Sequence, residues 1–124
     1  MFDFQKLIVY QRSIEFYTKI SKEIFKKNLI DKIPKDQLKR ASMSITLNIA
    51  EGTSRFSKAD RRHFYTIARG SLYECIAVLD LLKEDALIDE ALRLNLSSTG
   101  EEISKMLYAM EVQLTKQCQL QFQR

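Results

Sequence analysis

Only four of the 124 residues are turn formers, three glycines and one proline. An average chain carries these two residue types at roughly 12% of its positions, mostly in turns. Valine, which favours strands, occurs only at positions 9, 78 and 112. Few turns and few β-branched residues indicate long helices, which excludes collagen, disordered chains and all-β sandwiches. We therefore expect an all-α fold, and the absence of repeats or linkers predicts a single domain over residues 1–124.

The first helix is predicted over Leu7–Phe25. Five apolar residues recur there at helical spacing and predict the stripe that faces the bundle: Leu7, Tyr10, Ile14, Tyr17 and Ile24. A second set widens the apolar surface beyond that stripe: Val9, Phe16, Ile20 and Phe25. We interpret the second set as another contact face, and hence as a first indication of self-association.

Local sequence signals predict where the second helix begins and ends and where the third helix begins. Pro34 disfavours helical geometry at Ile33, so we expect a polar connection over residues 26–35 and a helix that begins near Asp36. Gly52 is interpreted as the helix end, with a positive φ. Ser57-Lys-Ala-Asp60 matches a capping box, which predicts the start of the third helix there.

The fourth helix is predicted from near Asp89. Ser98-Thr-Gly100 fits either a second capping box or a glycine kink, and we favour one long helix. The tail Gln117 to Arg124 is expected to fray. Together with the strongly periodic third helix of roughly 25 residues, these segments predict an antiparallel up-down four-helix bundle.

Charge is distributed unevenly along the chain. Residues 1–69 hold 15 Lys and Arg against 7 Asp and Glu, whereas residues 70–124 hold 5 against 9, which together give the net charge of +4. A basic first half and an acidic second half can orient a molecule toward anions or toward its own copies. The alternative is that two solvated faces simply differ.

The sequence contains no membrane or export signal. Its longest uncharged stretch, Ala41–Ala50, has ten residues, whereas a membrane span needs about 20 that are mostly apolar. The first residues lack the basic region and apolar core of a signal peptide. We expect a cytoplasmic protein without a membrane partner. Cys75 and Cys118 lie in helical patterns without CxxC spacing and are expected to be buried thiols.

No residue set is suited to catalysis. His63, the only histidine, precedes Cys75 by twelve residues on one helix, about 18 Å away, which is too far for a catalytic dyad. A carboxylate-bridged metal centre needs Glu-x-x-His twice, and the chain has one Asp60-x-x-His63. The three glycines are too widely spaced for a phosphate-binding loop. We therefore expect no enzyme, catalytic residue, metal or cofactor.

Two segments carry a family resemblance. Gln37–Gly52 (QLKRASMSITLNIAEG) and Ala68–Glu74 (ARGSLYE) resemble the four-helix-bundle proteins encoded in intervening sequences of bacterial large-subunit (23S) rRNA genes. The most specific part is Asn48-Ile-Ala-Glu-Gly52. The resemblance implies a homopentameric barrel in a family whose biochemical role is mostly unassigned. A related branch, the accessory proteins of diversity-generating retroelements, binds nucleic acid and a reverse transcriptase, which bears on this chain only by analogy of fold.

The polar residues of this motif are predicted to hold the second and third helices together. The structural set is Arg40, Asn48, Glu51, Gly52, Ser71 and Glu74. If the two helices are antiparallel, Arg40 pairs with Glu74, and Glu51 contacts Arg61 or nearby backbone donors. Partly buried polar pairs of this kind set helix register. Gly70 is expected to let the third helix approach a neighbour closely.

A basic cluster at the turn between these helices is the candidate binding site. Its predicted nucleic-acid-binding residues are Arg55, Phe56, Lys58, Arg61 and Arg62. The cations and the free amides of the helix start can hold phosphates, and Phe56 can stack on a base.

The sequence is consistent with two functions. One is an oligomeric basic bundle that binds RNA or DNA, for example as an accessory to a nucleic-acid enzyme. The other is an oligomeric scaffold that binds a partner protein and no nucleic acid. Five copies of one basic patch favour the first function, because repeated weak sites act together.

Overall fold

The computed structural model describes residues 1–28 and 30–122, with side chains up to residue 120. A 3₁₀ turn at Asp3–Lys6 precedes α1 (Ile8–Ile20), which continues into one π-helical turn at Ser21–Phe25. Helices α2 (Lys32–Ser54), α3 (Lys58–Glu84) and α4 (Glu90–Phe122) follow. Every regular element in these residues is helical, so the all-α prediction is confirmed.

The helices pack side by side around one apolar core. Helix α3 contacts both α2 and α4, and α1 also packs against α2 and α4. The largest fully buried side chains come from all four helices and the π-helical turn: Phe16, Ile20, Ile24, Leu38, Ile45, Ile49, Leu72, Leu79, Leu96, Ile103 and Leu107. Burying each of these side chains stabilises the fold by about 1.5–3 kcal/mol.

Cross-helix hydrogen bonds define the direction of neighbouring helices. In both the α2–α3 and the α3–α4 pair, the residue number on one helix rises as that of its hydrogen-bonded partner on the other falls. The two helices of each pair therefore run in opposite directions. The α3–α4 pairs are Arg62 with Thr115, Arg69 with Glu111, Tyr73 with Ser104 and Asp80 with Arg93. The α2–α3 pairs are Gln37 with Glu74, Ser44 with Ser71 and Thr53 with Tyr65.

The predicted core face of the first helix is confirmed only in part: Ile24 is fully buried, and Leu7, Tyr10 and Tyr17 are partly buried against the core, but the buried positions within α1 are others. The buried residues of α1 are Val9, Ser13, Phe16 and Ile20, most of which we had interpreted as an additional contact face. Ile14, from the predicted stripe, is 41% exposed. The helix presents the rotated face because it packs between α2 and α4 and not against a single neighbour.

Helix α2 begins earlier than the sequence predicts. It starts at Lys32, not near Asp36, and includes Ile33 and Pro34. Pro34 is the third residue of the helix, where its missing N–H would have had no acceptor within the helix. Proline therefore does not delay the start of the helix.

The roles predicted for Gly52 and Gly70 are both wrong. Helix α2 continues through Gly52 to Ser54, and no described glycine has a positive φ. A Cβ on Gly52 would lie 2.9 Å from Cβ of Phe64 and 3.0 Å from the Tyr65 ring, so α2 and α3 approach each other closely at this residue. A Cβ on Gly70 would meet nothing within 4 Å.

The predicted starts of α3 and α4 are confirmed. The Ser57 hydroxyl accepts a hydrogen bond from the Asp60 amide at 3.0 Å, and the Asp89 carboxylate accepts one from the Leu92 amide at 2.8 Å. Helix α4 runs through Gly100 without interruption, as favoured. It also continues through Gln117 to Phe122, so the tail is helical that far, and the last two residues lie outside the described part.

Among the described helices, none is both long enough and apolar enough to cross a membrane.

Candidate nucleic-acid interface

The predicted nucleic-acid-binding residues lie together where α2 gives way to α3. We call Arg55, Phe56, Lys58, Arg61 and Arg62 the basic turn. The Phe56 ring is fully exposed. Arg61 Nε donates to the Arg55 carbonyl at 2.7 Å, which satisfies a backbone acceptor just beyond the end of α2. The turn is therefore held in shape by one of its own cations.

Its cations differ in their partners. Arg55 pairs with Glu51, one turn back on α2, and its guanidinium lies 4.8 Å from the centre of the Phe64 ring. Glu51 thus contacts Arg55 and not the predicted Arg61. Within the described residues, no ion pair involves Lys58, Arg61 or Arg62. Three positive charges of the basic turn are therefore free to meet an anion.

Arg62 connects the basic turn to an open groove between α3 and α4. Its Nη1 donates to Thr115 Oγ1 at 3.2 Å. The groove has a volume of about 690 Å³ and is lined by Arg62, His63, Thr66, Arg69, Tyr108, Glu111, Val112, Thr115, Lys116 and Gln119. We call it the α3–α4 groove.

A buried carboxylate forms the floor of this groove. Glu111 is 7% exposed. Arg69 donates to both of its oxygens, from Nε at 2.7 Å and from Nη2 at 3.1 Å, and the Thr66 hydroxyl donates at 2.6 Å. Such bidentate, charge-assisted bonds offset the cost of removing the carboxylate from water. The pair also raises the pKa of Arg69 far above its usual value.

Two tyrosines flank the Arg69 guanidinium. Its carbon lies 5.3 Å from the centre of the Tyr108 ring and 5.8 Å from that of Tyr73. The Tyr73 hydroxyl accepts from Ser104 at 3.3 Å and from Arg69 at 3.1 Å, and these bonds lower the pKa of Tyr73. Arg69 is therefore held by the Glu111 carboxylate and the Tyr73 hydroxyl, and its guanidinium lies near both aromatic rings.

The pairing of Arg69 with Glu111 beside two tyrosines is not predicted by the sequence. Arg69 and Glu111 are 42 positions apart, and only the register of α3 against α4 brings them together. The one local signal was the four-residue spacing of Arg69 and Tyr73, which places them on the same helix face.

The predicted structural set is brought together only in part. Asn48 Nδ2 donates to the Ser44 carbonyl and hydroxyl, and the Ser44 hydroxyl lies 2.9 Å from that of Ser71. Asn48, Ser44 and Ser71 thus link α2 to α3, as a scaffold role requires.

The expected Arg40–Glu74 ion pair is wrong. Glu74 accepts a hydrogen bond from Gln37 at 3.2 Å, and these two described residues lie on the exposed surface. Arg40 is also exposed and, although its side chain is described, pairs with no carboxylate. Gln37, and not Arg40, is thus the α2 residue that reaches Glu74.

The reactive residue types are scattered. Cys75 is buried, which raises the pKa of its thiol to about 12, so its nucleophilic thiolate is not available near neutral pH. Cys118 is only half-buried, contrary to expectation. His63 is exposed beside the edge of Phe64. The described residues contain no group of three His, Cys, Asp or Glu that could hold a metal ion.

Comparisons with known proteins agree with the fold. The model of the family described as 23S rRNA-intervening sequence protein matches residues 5–109. A crystal structure from Bacteroides thetaiotaomicron, of a protein of unknown function from the S23 ribosomal protein family, is 25% identical to this chain. The match covers 84% of this chain and 98% of the other, with a TM-score of 0.71. No curated protein matches this sequence.

Proposed function

Because the chain belongs to the 23S rRNA-intervening sequence protein family, in which its solved relative has no known function, we propose its role from its own surface. The protein is a non-enzymatic, oligomeric helical-bundle protein of the cytoplasm that binds nucleic acid through the basic turn. An accessory role beside a nucleic-acid enzyme is consistent with such a surface.

The observation that carries this proposal is the set of three unpaired cations beside an exposed aromatic ring. Lys58, Arg61 and Arg62 lie in the first turns of α3, where backbone amides also point outward. Phosphates are held by such cations and amides, while the exposed Phe56 ring offers a face on which a base can stack. None of these contacts reads a base sequence, so the binding is sequence-independent.

Self-association supports the same function. An apolar groove of about 220 Å³ lies between α1 and α2, lined by Ile14, Tyr17, Met43, Thr46 and Leu47. Met43 and Leu47 are 42% and 59% exposed, which suits a contact with another copy. Family resemblance points to five copies, and a pentamer of +4 chains would repeat the basic turn around one particle.

A second candidate function is a scaffold that binds a partner protein without nucleic acid. It rests on another groove between α3 and α4, of about 440 Å³, which has an apolar floor at Ile76 and Gly100. Its polar rim holds Asp80 and Glu101, which pair with Arg93 and Lys105, so a mainly apolar segment of a partner fits the groove.

The two functions are separated by charge reversal with a matched control. The test variant Lys58→Glu/Arg62→Glu spares Arg61, which supports the turn backbone. The control Lys22→Glu/Lys26→Glu changes the net charge equally, but lies beyond the far end of α2. Light scattering and thermal unfolding check that both variants keep the assembly and the fold of the wild type.

Fluorescence anisotropy with labelled RNA and duplex DNA at two salt concentrations gives the readout. We expect binding that weakens steeply with salt. The test variant should lose at least tenfold in affinity, and the control much less. Equal losses in the two variants, or no binding by the wild type at low salt, would reject the nucleic-acid function and favour the scaffold.

A further inference from the structure

We infer that the α3–α4 groove is a binding site for single-stranded nucleic acid, in which an unpaired base stacks on Tyr108. The inference rests on the proposed function, since the groove begins at Arg62 of the basic turn. It adds a second contact region and a preference for unpaired over paired strands.

The groove presents an exposed aromatic ring beside an arginine that is itself fixed by hydrogen bonds. Tyr108 is 57% exposed, so one part of its ring is open to a ligand. Its neighbour Arg69 lies 5.3 Å from the ring centre, and that guanidinium is fixed by two hydrogen bonds to buried Glu111. With the Arg69 guanidinium beside it, the Tyr108 ring offers its exposed part to a base.

The hydrogen bonds among Arg69, Glu111 and Thr66 also determine which charges of the groove are available to a ligand. Glu111 is fully occupied by Arg69 and Thr66, so its negative charge is compensated inside the floor. Arg62 and Lys116 also line the groove, and neither forms an ion pair within the described residues. The groove is therefore positively charged along its walls, as a phosphate backbone requires.

The exposed Tyr108 ring and the positive charges of Arg62 and Lys116 together favour an unpaired strand. In a duplex each base is stacked between the neighbouring base pairs, so the Tyr108 ring cannot stack on its face. In a single strand a base can turn out and stack, while its flanking phosphates contact cations on either side. Arg62 belongs to both regions, so a strand held at the basic turn leads directly into the groove.

The test compares Tyr108→Ala with Tyr108→Phe, which keeps the ring. Phe2→Ala removes an exposed aromatic residue far from the groove in the sequence and serves as the control. The probes are a labelled single-stranded RNA of 12 nucleotides and the blunt duplex of the same sequence, in anisotropy titrations over a range of salt. Thermal unfolding verifies that each variant remains folded.

We expect the wild type to bind the single strand at least tenfold more tightly than the duplex. Stacking of one base is worth about 1–3 kcal/mol, so Tyr108→Ala should weaken single-strand binding by roughly 5- to 150-fold. Its salt slope should not change, because no charge is lost. Tyr108→Phe and Phe2→Ala should bind as the wild type does.

Three results would overturn the inference. If single strand and duplex bind equally, or if Tyr108→Ala binds as the wild type, the groove takes no base. In both cases the Lys58→Glu/Arg62→Glu variant shows whether the proposed function survives, since it should still lose binding. If the wild type binds neither probe, the groove site and the proposed function fail together.

Discussion

Two Arg–Glu pairs on the same bundle differ in almost every physical respect. Arg55 and Glu51 are one turn apart on the chain, and their side chains are 44% and 50% exposed. Arg69 and Glu111 are on different helices, and their side chains are 25% and 9% exposed. The first pair is solvated and local, so it contributes little stability and leaves the charge near the surface. The second pair is largely desolvated, so each partner depends on the other.

The arginines of this protein therefore have separate roles. Arg61 and Arg62 of the basic turn form no ion pair within the described residues, so their charges are available to a ligand. Arg69 is unavailable, but it positions Tyr108 and compensates Glu111.

Arg69→Met tests the buried pair. Removing the guanidinium leaves the Glu111 carboxylate buried without its ionic partner, so we expect a loss of about 3–5 kcal/mol in the free energy of unfolding. Urea denaturation measures it. Arg55→Met is the matched control on the exposed pair, with an expected loss below about 1 kcal/mol. Similar losses in the two variants would remove the distinction between the pairs.

Gly52→Ala tests whether packing, and not charge, sets the geometry beneath the basic turn. The new Cβ would lie 2.9 Å from Cβ of Phe64, so the two helices must separate, and we expect a loss of about 1–3 kcal/mol in unfolding free energy. Gly70→Ala is the control, because its Cβ meets open space. Alanine there should stabilise α3 by up to about 1 kcal/mol. A neutral Gly52→Ala would contradict the close approach.

Ala86→Gly acts on the other end of α3, in the connection to α4. Ala86 has φ of 59°, a left-handed conformation that costs an L-residue roughly 1–2 kcal/mol. Glycine adopts it freely but loses more entropy on folding, so we expect a net gain of about 0.5–1 kcal/mol in thermal or urea unfolding. A loss of stability would show that the alanine methyl group contributes packing there.

Glu51→Ala tests the exposed pair from its acidic side. Stability should change by less than about 0.5 kcal/mol, since an exposed pair of this spacing contributes little. Nucleic-acid affinity at low salt should rise about two- to fivefold, because Arg55 loses its competing carboxylate. Loss of binding at an unchanged melting temperature would instead assign Glu51 to the binding site and contradict its scaffold role.

The accuracy of the sequence predictions follows the range of the interactions concerned. Helix starts at Ser57 and Asp89 depend on hydrogen bonds to residues three positions away, and both predictions are confirmed. The close approach expected at Gly70 occurs at Gly52 instead, because close packing depends on what the neighbouring helix presents. The same limit applies to Glu74, whose partner on α2 is Gln37 and not the expected Arg40.

The sequence by itself determined the helical class, most element boundaries, the family, and the position of the basic turn. These properties depend on composition, on periodicity and on residues that are adjacent in the chain. Only the tertiary structure decided which face of α1 is buried, how α3 sits against α4, and therefore that Arg69 meets Glu111 beside Tyr108. The physical reason is that helix rotation and register are set by packing of whole faces against one another, which no local pattern specifies.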